Sequence, residues 1–238
     1  MAPVPSSDRT DQVQADQETA SLLGRLNLEL VEHGLLIMGA LQPAKVQARD
    51  LTGGTLILVG CGPGFWQVFN SAAEAHDGQR DPVDRWSSRV ITSLSNRYDA
   101  TPYFPFGGPP YTPFIDWAQK SKRAHSSPTG MLVHDTVGLM ISYRGALHFS
   151  AELPLPRNKA QNPCGTCTAR PCATACPVGA LSETQAYDVA ACHAYLDTEA
   201  GQDCLSNGCA ARRACPISAG AYRTPEQSAL HMKAFHPK

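Results

Sequence analysis

The chain has 238 residues, of which 42% are hydrophobic and 17% charged; it is long enough for one large domain, or a medium and a small one, and too apolar to be disordered. Its 20 basic and 21 acidic residues leave a formal net charge of −1, so no global basic field exists to hold a phosphate backbone. The sequence has no run of 18 apolar residues, and MAPVPSSDRTDQVQADQETA (1–20) has no apolar h-region, so the expectation is a cytoplasmic protein with no membrane partner.

In chain order, residues 1–17 read as a flexible N-terminus. A helix is expected over Glu18–His33, where Leu22, Leu23, Leu26 and Leu30 recur at helical spacing and Gly34 is placed to end it. LLIMGAL (35–41) and TLILVGC (55–61) have the length and continuous apolarity of buried strands. GCGPGFW (60–66) lacks the full G-x-G-x-x-G pattern and an acidic residue downstream, so it reads as a tight strand-to-helix turn rather than a phosphate loop. A second helix is expected over 83–97, on the stripe Trp86, Val90, Ile91 and Leu94.

TPYFPFGGPPYTPF (101–114) combines five prolines with five aromatic residues. Two readings stand for it. Tyr103, Phe104 and Tyr111 are candidates for the wall of a flat cofactor, and the plainer reading is a stiff loop covering the core. TVGLMISY (136–143) and GALHFSAEL (145–153) are expected to form a hairpin turning at Arg144–Gly145. TPEQSALHMKAF (224–235) opens with Thr224, Pro225 and Gln227, the signature of a capped helix whose role is to pack. The expected fold class is therefore α+β: a layer domain over 18–160, a cysteine-rich module over 161–218 and a C-terminal helix within 219–238.

Eight of the nine cysteines lie between Cys164 and Cys215, and Cys61 stands alone at the end of an apolar run, where a buried inert thiol is expected. A disulfide framework would need an oxidising compartment; in a reducing one such clustering indicates metal binding. The first run is C-x2-C-x4-C-x3-C-P (Cys164, Cys167, Cys172, Cys176), and the second is Cys192 followed by Cys204, Cys209 and Cys215-Pro216. Bacterial ferredoxins use a related run in which three thiolates hold one cluster and the fourth, before proline, reaches across to another. Cross-ligation then assigns Cys164, Cys167, Cys172 and Cys215 to one 4Fe–4S cluster. Cys176, Cys192, Cys204 and Cys209 are assigned to a second. The rival reading is two all-cysteine zinc sites, although only Cys164/Cys167 has the C-x2-C knuckle spacing. His193, beside Cys192, is read as a packing or solvent-facing residue, since eight thiols already fill both clusters.

NPCGTCTARPCATACPVGAL (162–181) and CHAYLDTE (192–199) resemble the two-cluster module of epoxyqueuosine reductases and corrinoid reductive dehalogenases. SPTGMLVHDTVGLMISYRGALHFSAELPLP (127–156) and HGLLIMGALQPA (33–44) are similar to the segments that lead into that module. The resemblance implies a nitroreductase-like N-terminal domain that binds cobalamin without a histidine ligand, a bacterial-ferredoxin-like module that reduces it, and oxidoreductase activity. The spacings after Cys167, Cys204 and Cys209 are wider than in that family, and only 22 residues follow Pro216. The family's proton-donating aspartate has no matching motif; Asp116 and Asp135 are the nearest candidates, each also readable as a surface carboxylate, and the catalytic residues stay unassigned. A reductase of this kind needs an electron donor such as a flavodoxin or ferredoxin reductase, and a small-molecule or corrinoid acceptor.

Two alternatives remain: a stand-alone electron carrier with no organic cofactor, and a zinc-stabilised interaction module. If an acceptor binds, its pocket is expected where 136–153 and 101–114 approach the first cluster. No nucleic-acid partner is expected, because 160–216 carries five acids against three bases and the best basic patch is only Lys120-Ser-Lys122-Arg123.

Overall fold

A computed structural model describes residues 22–156 and 161–237; the stretch 1–17 and the start of the expected first helix lie outside them. Helix α1 (22–32) buries Leu26 and Leu30 completely. Gly34, at φ +66°, then turns the chain into β1 (Leu35–Leu41). A side chain at Gly34 would meet the Phe65 backbone nitrogen at 2.4 Å, so glycine is required there both for the left-handed turn and for the close approach. The one-turn helix α2 (Pro43–Val46) leads to β2 (Thr55–Cys61), followed by α3 (Phe65–Asn70), α4 (Pro82–Arg97) and β3 (Thr101–Tyr103). Next come α5 (Phe114–Lys120), β4 (Ala124–Ser126), β5 (Leu132–His134) and β6 (Tyr143–Phe149). The cysteine-rich part adds α6 (Val189–Leu196), α7 (Gln202–Asn207), α8 (Ala210–Ala214) and α9 (Pro225–Phe235).

The main sheet has the order β1-β2-β6-β3 with every neighbour antiparallel, and β4 and β5 form a separate ribbon. All seven residues of β2 are buried. Ile57, Val59 and Cys61 face a core shared with Leu26, Phe65, Phe69, Trp86, Val90, Ile91 and Leu94. Leu56 and Leu58 face the opposite core with Phe114, Trp117 and Ala118. Helices cover both sides of the strand, which is why its sequence is continuously apolar instead of alternating. Each fully buried Leu or Ile contributes roughly 1.5–3 kcal/mol, and the two cores together hold this mixed α+β fold. The stripe expected on α4 is present: Trp86, Val90, Ile91 and Leu94 are all buried, and Trp86 meets Phe65 edge-on at 5.3 Å.

The expected hairpin over 136–153 does not form. β6 runs through Arg144 and Gly145 without turning and pairs with both β2 and β3. Gly145 is a site of close approach: a Cβ there would lie 3.1 Å from Ile91 and from the Tyr103 carbonyl. Residues 136–142 instead form a loop that folds back on β5 through the His134–Gly138 bridge and presses against the cysteine-rich segment. GCGPGFW is a strand-to-helix turn, with the Gly62 N–H donating to the Gly34 carbonyl. At the start of α9 the Thr224 hydroxyl accepts from the Gln227 N–H at 3.2 Å, as the capping signature indicates. Among the described residues no helix is long and apolar enough to cross a membrane.

The basic patch is largely neutralised. Lys120 pairs with Asp116 at 3.2 Å, and Arg123 grips Asp135 through two bonds of 2.8 and 2.9 Å.

Candidate metal centres and an adjoining cleft

The cysteine-rich segment is built from short turns that aim thiols inward. Cys164 lies on a 3-10 turn (Pro163–Gly165) whose preceding Asn162 side chain accepts from the Cys164 N–H at 3.0 Å. Cys172 lies on a second such turn (Pro171–Ala173). Cys209 and Cys215 flank the five-residue helix α8, one at each end. Cys192 is carried on α6 and Cys204 on α7.

Cys164, Cys167, Cys172 and Cys215 together line one cavity of about 270 Å³, walled also by Val133, Leu139, Pro163, Pro171, Pro216 and Ile217. Burial pushes the Cys164 and Cys172 thiols above their ordinary range, and the neighbouring thiols of the same group push further in that direction. The second group is Cys176, Cys192, Cys204 and Cys209. Burial raises the Cys192 thiol first, and the thiols of Cys209, Cys176 and Cys204 add to it, while the Tyr187 hydroxyl on the same cavity wall acts in the opposite direction. These are the same two sets that the crossed assignment joins. Four thiols sharing one poorly solvated space cannot all ionise unless a cationic centre offsets them. Among the described residues no three His, Cys, Asp or Glu side chains converge on the single point that one metal ion needs.

Cys61 is buried in the sheet core, and burial pushes its thiol up, which suits an inert packing residue. His193 packs: its ring stacks on Phe235 at 4.7 Å and its Nδ1 lies 2.5 Å from Nδ1 of His236.

A cleft of about 850 Å³ opens between α5, the aromatic loop and the start of β6. Phe106, Tyr111, Phe114 and Tyr143 supply its rings, and Arg49, Asp84, Asp116 and Arg144 its charges. Tyr111 is therefore on the wall as expected, but Tyr103 and Phe104 are not. Pairing of β3 with β6 turns the Tyr103 ring onto Trp117 at 5.5 Å, and Phe104 packs on Phe106 and the α4-side core. Phe106 and Phe114 are the other rings of the same aromatic loop that face the cleft, and Tyr143 alone among its rings was missed by sequence reasoning, because it was placed in a hairpin that does not form. Asp116 lines the cleft and accepts from the Arg49 N–H at 3.1 Å, whereas Asp135 is held by Arg123 and lies outside it.

The cleft also adjoins the other thiol group than the one expected. Its lining residues Ile141 and Ser142 also line a cavity of about 200 Å³ that contains Cys192 and Cys209. The cavity of Cys164 shares no lining residue with the cleft. The cause is again the missing hairpin: the 136–142 loop gives Leu139 to the first group and passes Ile141 and Ser142 between the second group and the cleft. No family model matches the chain, and no curated protein is similar enough to match it; the chemistry of the site is carried by its own residues.

Proposed function

We propose that this chain is an iron–sulfur oxidoreductase whose eight clustered cysteines hold two 4Fe–4S clusters and deliver electrons to a flat acceptor of the corrinoid class in the cleft of a nitroreductase-like N-terminal domain. The observation that carries this reading is the crossing of the two cysteine runs. Cys176 leaves its own run to stand with Cys192, Cys204 and Cys209, and Cys215 leaves the second run to stand with Cys164, Cys167 and Cys172. Such an exchange is the ligation pattern of two-cluster ferredoxins, and thiols ringing a cavity suit a polynuclear centre better than one tetrahedral zinc. When bound, the clusters supply one-electron chemistry, at potentials between roughly −700 and +450 mV for this class.

The residues of the chain divide the remaining work. The eight thiolates would hold the clusters, and the turns at Pro163–Gly165 and Pro171–Ala173 orient Cys164 and Cys172. Phe106 and Tyr111 offer faces for a flat ring system, and the cleft volume is within the range of cofactor sites. No histidine lines the cleft among the described residues. Electrons arrive from a protein donor of the flavodoxin or ferredoxin reductase kind.

Anaerobic purification followed by iron and acid-labile sulfide assay is expected to give close to eight of each per chain, and stoichiometric zinc without sulfide would establish the zinc module instead. Cobalamin added to the reduced protein is expected to change its absorbance, and alanine at both Phe106 and Tyr111 to weaken that response at unchanged iron content. Fully loaded protein that shows no response to excess cobalamin or flavin would leave the stand-alone carrier as the function. A further expectation concerns nucleic acid: with Lys120 and Arg123 already paired, tRNA should not bind at micromolar concentration, and a filter-binding isotherm with a steep salt slope would overturn this.

A further inference from the structure

The two thiol groups sit in different electrostatic surroundings. At the first, Arg170 is the one charged residue lining the cavity among the described residues, and Glu183 neutralises it at 3.0 Å. At the second, Arg213 and Asp203 pair with each other. Arg212 and Arg223 also line the cavity that contains Cys192 and Cys209, which no carboxylate lines. Arg212 has no ion pair among the described residues, and Arg223 donates Nη2 to the Met140 carbonyl at 2.9 Å while its Nε has no partner. Tyr187 lines the same cavity as Cys192. The nearby protein charge is thus close to zero at the first group and about two positive at the second.

Cluster potential is set by net charge, hydrogen bonds to sulfur and solvent exposure. Reduction adds one negative charge, which an unpaired guanidinium nearby favours. On the two-cluster reading above, we propose that Arg212 and Arg223 hold the centre of the Cys176/Cys192/Cys204/Cys209 group at the higher potential of the two. The second group then becomes the terminal electron station beside the cleft. One electron leaves the first centre, which is oxidised by one equivalent, and reduces the second by one equivalent; electrons supplied by a low-potential reductant collect next to Ile141 and Ser142, the residues shared with the cleft.

The test is an anaerobic redox titration of the reconstituted full chain, followed by EPR with dithionite and mediators, on wild type, Arg212→Gln and Arg223→Gln. Wild type is expected to show two separate midpoints. Arg212→Gln is expected to lower the higher one by at least a tenfold change in the reduced-to-oxidised ratio, about 59 mV for a one-electron centre, and to leave the lower one in place. If the Arg223→Gln variant does not fold, the half-buried Arg212 still carries the test. A single shared wild-type midpoint, or Arg212→Gln protein with both midpoints unmoved, would overturn the proposal. Iron and sulfide measured on the same samples separate the two failures: unmoved potentials at full loading sink only this inference, whereas missing sulfide sinks the two-cluster reading and this inference with it.

Discussion

Cys172→Ala and Cys176→Ala are expected to abolish the signals of different clusters, each variant retaining about four of eight irons per chain. Only three residues separate the two positions, so a centre held by one continuous run would lose both ligands together. The Pro171–Ala173 turn directs Cys172 into the cavity of Cys164, Cys167 and Cys215, whereas Cys176, before Pro177, stands with Cys192. The same split recurs at α8, whose five residues hold Cys209 and Cys215 apart at its two ends, one for each group. EPR of the two reduced variants, with iron counted on the same samples, checks the expectation. Loss of the same signal in both would show that each run serves one cluster by itself.

Gly138→Ala is expected to destabilise the protein by about 2–5 kcal/mol, the sum of two separate costs. Gly138 has φ +57°, a left-handed conformation that costs a residue with a Cβ roughly 1–2 kcal/mol. Its missing side chain would also lie 2.4 Å from the Ser218 nitrogen and 2.8 Å from the Ile217 carbonyl carbon. Crowding of that kind in a packed interior typically costs about 1–3 kcal/mol more. The contact joins the 136–142 loop to the residues just after Cys215, and it is reinforced where the Leu139 N–H donates to the Ser218 hydroxyl at 3.1 Å. Gly179→Ala is the matched control: φ is +64° there, but nothing lies within 4 Å of the added methyl. It should therefore cost only the conformational part, about 1–2 kcal/mol. Melting curves of the three loaded proteins decide the matter, and equal losses in the two variants would show that the Gly138 contact is not tight.

The elements that sequence periodicity located are those whose burial is one-sided or complete along a regular element. Leu26 and Leu30 on α1, Trp86 to Leu94 on α4 and the whole of β2 carry their environment in their own spacing. The capped start of α9 was legible for a different reason, since Thr224 satisfies the backbone three residues away. β6 was misread because Arg144 and Gly145 have the local chemistry of a turn, while the close approach of Ile91 and Tyr103 that calls for glycine comes from distant parts of the chain. The cleft residues were misassigned on the same grounds. Five aromatic side chains in one loop look alike in sequence, and only strand pairing decides that Tyr103 turns inward while Phe106 and Tyr111 face the cleft.

By itself, then, the sequence determined the α+β class and the division of the clustered cysteines into two runs, because hydrophobic periods, caps and cysteine spacings are written in neighbouring residues. Tertiary structure alone decided that the second thiol group, rather than the first, adjoins the cleft through Ile141 and Ser142, and that Arg212 and Arg223 meet there without a carboxylate. Arg223 and Ile141 are 82 residues apart in the chain and share a cavity wall only once the loop after β5 folds back on the cysteine-rich segment. Proximity of that kind depends on how two packed regions meet, and neither region's own residue pattern encodes it.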